Sequence, residues 1–162
     1  MRQPRFPWHL NFLLDWLYNG LPACKGNACI GGKSGAVMDR RVMYIFLLKS
    51  KIHRATVTAG NINYEGSMTI DQDLMDKVGF IPFEKILASN MANGQRFETY
   101  VIPGPRGAGD IILNGAAAHL GKRGDLLTIM SFAQIEPQDA KKWHPRVIVL
   151  GEKNKIINER GI

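Results

Sequence analysis

The chain changes character at Met43, and the residues beyond that point limit the fold. From Met43 to Leu150, short runs of apolar, β-branched or alternating residues succeed one another, most of them ended by glycine, proline or asparagine. Such runs read as short strands, since alternation of period two places one face on a core and the other in water. Met43–Leu48 is apolar, and Lys51–Thr58 alternates. Asn61–Tyr64 leads into Gly66-Ser67 and then Met68-Thr69-Ile70. Lys85–Met91 and Gln95–Ile102 flank Asn93-Gly94, a strong hairpin signal. Pro103–Gly109 reads as a loop, and Ile111–Leu113 as a short strand. Leu126–Ile135 reads as a long strand and Arg146–Leu150 as the last one, with a polar tail over Glu152–Ile162. Helix signals are few. Asp71 can cap a short helix carrying Leu74, Met75 and Val78 and ended by Gly79, and Ala116–Leu120 reads as a helical turn. Many short strands with little helix predict a mainly β domain, a small closed barrel that leaves no sheet edge exposed.

Residues 1–42 lack that order. They hold Pro4, Pro7, Pro22, both cysteines (Cys24 and Cys29) and a helix-compatible stretch at about 8–19. Gly32-Lys33-Ser34 resembles the end of a phosphate-binding loop, but Asn27 stands where that motif needs its first glycine. The division expected is therefore an N-terminal extension over 1–42, disordered or upstream of the natural start at Met43, and a barrel domain over 43–162. Asn11, Asp15 and Asn19 interrupt the early apolar stretch, which argues against a signal peptide. No apolar run reaches the ~20 residues of a membrane span. The chain reads as cytoplasmic, with no membrane partner.

The net charge of +7 raises nucleic acid as a partner. It is spread thinly: residues 1–42 carry six Lys/Arg against two Asp/Glu, and the remainder 15 against 12. No stripe of interleaved basic and aromatic residues appears after Met43, so the expectation is a surface that draws small anions. His9, His53, His119 and His144 show no ligand spacing, and no metal site is expected.

The chemistry centres on Gly66-Ser67. Alone, the pair reads as a turn. A serine hydroxyl can nonetheless attack the preceding carbonyl and exchange amide for ester, provided the bond is strained and the oxyanion is held by donors. Glycine at 66 permits unusual backbone angles. Elimination from the ester would leave dehydroalanine, and loss of ammonia would leave a ketone at the new N-terminus.

The motifs around this pair are Lys51-Ile52-His53-Arg54, Tyr64-Glu65-Gly66-Ser67, Ile70-Asp71-Gln72-Asp73-Leu74, Asn93–Tyr100 and Asn114-Gly115-Ala116-Ala117-Ala118-His119, with Gly124-Asp125 and Pro145-Arg146. Together they resemble aspartate 1-decarboxylase, the small pyruvoyl enzyme of pantothenate biosynthesis, over nearly all of residues 43–157. The resemblance implies a six-stranded double-psi β-barrel, a homotetramer with active sites between subunits, and cleavage between Gly66 and Ser67. It implies a pyruvoyl group made from Ser67, which carries L-aspartate as a Schiff base, in place of pyridoxal phosphate. It makes Tyr100 the proton donor, and Thr99 a substrate-binding residue that assists cleavage. Strand alternation sets Thr99 and Tyr100 on opposite faces, so one site can use both only if the strand kinks or two subunits share it.

Arg96 suits a bidentate grip on the side-chain carboxylate of aspartate, and Lys51 would add positive field. Gly115, Ala116 and Ala117 offer backbone N–H groups to an anion. Asn114 can donate to the oxyanion of the self-cleavage step. His53 and Tyr64 are expected behind the residues that touch substrate. No maturation partner can be named from the sequence. Two other classes stay open: an uncut, catalytically silent barrel, and a basic β-barrel that binds nucleic acid.

Overall fold

The structure is a computed structural model that describes residues 43–162. The helix expected near 8–19, the cysteine pair and the extension assigned to 1–42 lie outside the described residues.

Nine strands are present among them: β1 (Ile45–Thr56), β2 (Ala59–Asn61), β3 (Met68–Asp71), β4 (Lys85–Asn90), β5 (Arg96–Gly104), β6 (Ile111–Asn114), β7 (Leu126–Ile135), β8 (Arg146–Leu150) and β9 (Ile156–Arg160). Two short helices, α1 (Gln72–Val78) and α2 (Pro137–Ala140), and two 3-10 turns complete the chain. The strands form one mixed sheet in the order β2-β6-β3-β5-β4-β7-β1-β8-β9. No ladder among the described residues joins β2 to β9. The six strands implied by resemblance are thus fewer than those observed. The strands that sequence missed, β2 and β9, pair through their backbones while keeping most side chains in water. A strand without a buried face carries no alternation, which is why Ile156–Arg160 reads as polar tail.

Alternation does its expected work elsewhere. In β4 the pattern puts Ile86, Ala88 and Asn90 inside, and in β7 it buries Leu127, Ile129 and Ser131. The apolar ones, Ile86, Ala88, Leu127 and Ile129, meet Ile52, Met68, Ile70, Val101, Ile111, Leu113 and Ile148 in one fully buried core. The close-packed interior carries most of the stabilisation, about 1.5–3 kcal/mol for each large apolar side chain removed from water. β5 continues past the expected Ile102 to Gly104, because Met68–Asp71 pairs alongside Val101–Gly104.

Helix α1 starts and stops as its sequence dictates. The Asp71 carboxylate accepts the Asp73 N–H at 2.8 Å, and Gly79 ends the helix at φ 72°, a left-handed angle that favours glycine. Leu74, Met75 and Val78 bury its inner face. The same Asp71 carboxylate accepts the N–H groups of Gly107 at 3.2 Å and Gly109 at 2.6 Å, which pins the loop between β5 and β6 to the helix. β1 is irregular at two places, between Leu48 and Ser50 and between His53 and Ala55. The first turns Ser50 inward, where its hydroxyl donates to the Val78 carbonyl. Among the described residues, no helix is long and apolar enough to cross a membrane.

Candidate functional site

β3 and β6 run antiparallel, with Met68 opposite Leu113 and Thr69 opposite Ile112. One step further along, the Asn114 N–H donates to the Ser67 carbonyl at 3.1 Å, so Ser67 faces Asn114 where the ladder ends. The Asn114 side chain completes the contact: Nδ2 lies 3.2 Å from Ser67 Oγ and 2.9 Å from Thr69 Oγ1. Ser67 and Asn114 are each only 3% exposed, which removes competing water from this hydroxyl. The Asn114 amide thus rests on the hydroxyl oxygen of Ser67.

The backbone at the pair is unusual. Gly66 sits at φ 115° and Ser67 at φ 87°. Glycine takes such an angle freely, but a serine there costs on the order of 1–3 kcal/mol. That strain lies next to the bond that the attack would break. Gly66 is required by its angle and not by crowding, since a Cβ there would meet nothing within 4 Å.

Gly115 is the reverse case. It too is left-handed, at φ 57°, and a Cβ on it would come within 2.8 Å of Gly66 Cα, 2.9 Å of Gly66 N and 2.9 Å of the Tyr64 carbonyl oxygen. The 3-10 turn Gly115–His119 therefore begins with its backbone pressed against residues 64–66. Gly115 and Ala117 are buried, whereas Ala116 and the Tyr64 ring reach solvent. The cradle fits a serine held for attack on its own preceding carbonyl, and so fits the precursor of a backbone-derived ketone.

The other expected residues divide into two groups. Val101 pairs with Met68, so Tyr100 and Ser67 each stand one residue before the first rung of that parallel ladder. Alternation along β5 holds as anticipated: Arg96, Glu98 and Tyr100 face outward, while Phe97, Thr99 and Val101 face inward. Tyr100 is 39% exposed, and its ring lies against Phe83, with ring centroids 6.3 Å apart. Thr99 and Tyr100 thus remain on opposite faces of a strand with no kink between them.

Lys51 and His53 are carried on β1, which β5, β4 and β7 separate from β3 in the sheet. Lys51, Val147 and Arg160 are aligned across β1, β8 and β9. They line an open cavity of about 550 Å³ with Leu48, His144, Pro145 and Gly161. His53 Nδ1 is 3.1 Å from Thr128 Oγ1. Burial first, then the positive charges of Lys51, Arg54 and Arg160, hold its imidazole below the usual histidine range.

One chain therefore assembles Tyr64, Gly66, Ser67, Asn114 and Gly115. It sets Arg96 and Tyr100 on an outer strand face, and Lys51 and His53 elsewhere. Thr69 belongs to the first group and was missed. A β-branched residue in a strand ordinarily reads as packing, and the available signal was the Ser-x-Thr spacing that puts both hydroxyls on one face.

Comparison with known proteins agrees with the geometry. The sequence profile of the family described as aspartate decarboxylase matches residues 43–157. A protein of Carboxydothermus hydrogenoformans named aspartate 1-decarboxylase is 52% identical over 115 residues, covering 71% of this chain and 91% of that protein. Proteins of the same name are 53% identical in Acetivibrio thermocellus (72% of this chain, 92% of that protein) and 52% identical in Bacillus subtilis (70% and 90%). The profile spans the strained Gly66-Ser67 pair, the Asn114 amide on the serine hydroxyl and the Gly115 cradle alike, and the chain belongs to the aspartate decarboxylase family.

Proposed function

We propose that this chain decarboxylates L-aspartate to β-alanine and CO2 for pantothenate biosynthesis, after cutting itself between Gly66 and Ser67. The observation that carries the reading is the buried Ser67 hydroxyl, at a left-handed backbone angle, in reach of the Asn114 amide. In the cutting step Ser67 Oγ bonds to the Gly66 carbonyl carbon, the Gly66–Ser67 C–N bond breaks, and the hydroxyl proton passes to the released nitrogen. Loss of the Ser67 α-proton and departure of Gly66 as a carboxylate come next. Water then replaces the nitrogen, which leaves as ammonia, and residue 67 becomes a pyruvoyl group.

That group supplies a ketone able to condense with the substrate amine and take up the electrons freed by CO2 loss. The remaining duties fall to side chains. Arg96 grips the carboxylate that stays, since a tight grip on the leaving carboxylate would stabilise the ground state and slow the reaction. Tyr100 delivers a proton to the α-carbon. Thr99 orients substrate and assists the cut, and Lys51 adds positive field for a dianion. Backbone N–H groups at Gly115, Ala116 and Ala117 would receive an anionic group of the substrate, with His53 and Tyr64 behind the residues that touch it.

Lys51 lies several strands from Ser67, and Tyr100 faces outward. Both facts support a homotetramer whose active sites form between subunits. Closure into a six-stranded double-psi barrel within the nine strands is supported where β1 runs on toward β6. The Thr58 N–H donates to the Ile111 carbonyl at 2.8 Å, and Asn154 bridges Thr56 to the Gly109 carbonyl. The reading includes a cytoplasmic location. It is tested by incubating the purified chain with L-aspartate and no added cofactor. β-Alanine should form with the parent chain and not with Ser67→Ala; turnover by Ser67→Ala would overturn it.

A further inference from the structure

We propose that Thr69 is a positioning residue for the self-cleavage step, acting through Asn114. The inference rests on the proposed cut at Gly66-Ser67.

Ser67 and Thr69 are two residues apart and project from the same face of the chain. Asn114 stands opposite Ser67 and diagonal to Thr69, the arrangement in which a side chain can reach both. Its amide nitrogen carries two hydrogens. One is directed to Ser67 Oγ and the other to Thr69 Oγ1, the shorter contact. The second bond removes the freedom of the amide to turn about its own axis. A donor so fixed holds Ser67 Oγ in place, and stabilises negative charge on that oxygen as its proton leaves.

Thr69 is itself fixed. Its branched Cβ restricts χ1, and its methyl occupies space left by a missing side chain: a Cβ on Gly104 would lie 2.9 Å from Thr69 Cγ2. Gly104 is not at a left-handed angle, so its backbone would admit alanine and only the Thr69 methyl resists it. The chain of dependence runs from Gly104 to Thr69, to Asn114, to the attacking oxygen.

The test is the rate of cleavage, followed by denaturing mass spectrometry on full-length uncut protein purified cold and then warmed. Thr69→Val keeps shape and loses the acceptor; it should cut about 10-fold more slowly, the factor that ~1.4 kcal/mol of transition-state stabilisation represents. Thr69→Ser should stay within about 3-fold of the parent, and Asn114→Ala should slow the cut by about 100-fold, as loss of a fixed donor does. The decisive arm is Thr69→Val combined with Asn114→Ala, which should be no slower than Asn114→Ala alone. Gly104→Ala displaces the methyl without touching the hydroxyl. It gives the same readout if Thr69→Val does not fold, and its slowing should also vanish on the Asn114→Ala background. Thr69→Val cutting at the parent rate overturns the inference, as does equal slowing with and without Asn114. A parent chain that never cuts refutes the cleavage reading itself; a parent that cuts beside an unaffected Thr69→Val refutes only the role of Thr69.

Discussion

Gly115→Ala separates contact from backbone strain at the proposed cut. The substitution has two costs that the structure lets us assign. Alanine at φ 57° costs about 1–2 kcal/mol for its left-handed angle. Its Cβ would also fall 2.8–2.9 Å from Gly66 Cα, Gly66 N and the Tyr64 carbonyl oxygen. These are backbone atoms, so relief needs a shift of roughly 0.5–1 Å, and overpacking of this kind costs about 1–3 kcal/mol. The expected loss of stability is about 2–5 kcal/mol.

The shift falls on the residue whose carbonyl Ser67 would attack, and a misplacement near 1 Å can cost about 100-fold in rate. Gly124→Ala is the control. Gly124 is at φ 92°, yet a Cβ there would meet nothing within 4 Å. It should lose about 1–2 kcal/mol and cut at the parent rate. Thermal unfolding gives the stabilities, and mass spectra over time give the cleavage rates. Gly115→Ala cutting as fast as Gly124→Ala would refute the claim that this contact positions the scissile segment.

Three further outcomes are expected. Tyr100→Phe should cut normally and lose about 100- to 10,000-fold in turnover, the worth of a general acid; β-alanine formation measures it, and normal turnover would remove Tyr100 from that role. Asn90→Ala should lower stability by about 2–3 kcal/mol, read from denaturant unfolding. Buried Asn90 donates to the Leu120 carbonyl at 3.0 Å and to Asp125 Oδ2 at 2.8 Å, and both would lose a partner. His53→Gln should flatten the loss of stability at acid pH. The folded state holds the His53 imidazole below its ordinary value near 6.5, so the unfolded chain binds the proton more readily. His53 therefore leaves stability intact above about pH 6.5 and erodes it as pH falls through and below that value. Parallel pH profiles for parent and variant would contradict this.

Much of the fold is legible in residue order because most strands bury one face. Ile86, Ala88 and Asn90, or Leu127, Ile129 and Ser131, announce their strands by alternation, and Asp71 and Gly79 mark both ends of α1. What escapes is structure held by backbone alone: Ile156–Arg160 pairs with β8 yet keeps most of its side chains in water. The site divides in the same way. Gly66 and Gly115 carry a visible glycine signal, and Asn114 a visible amide. The left-handed angle at Ser67 carries none, because nothing in a serine announces it. Thr69 hides because its hydroxyl matters only once Asn114 has been brought across from a strand 45 residues away. The distance between Lys51 and Ser67 is likewise a property of strand order, which no local pattern states.

The conversion of residue 67 to a ketone, by a cut in the chain behind it, is tested most directly by mass spectrometry of the denatured protein after warm incubation. Two fragments divided after Gly66 are expected, the larger gaining mass when treated with L-aspartate and borohydride, and a single uncut chain for Ser67→Ala. A parent protein that stays one homogeneous chain, or a Ser67→Ala variant that divides at the same bond, would contradict it.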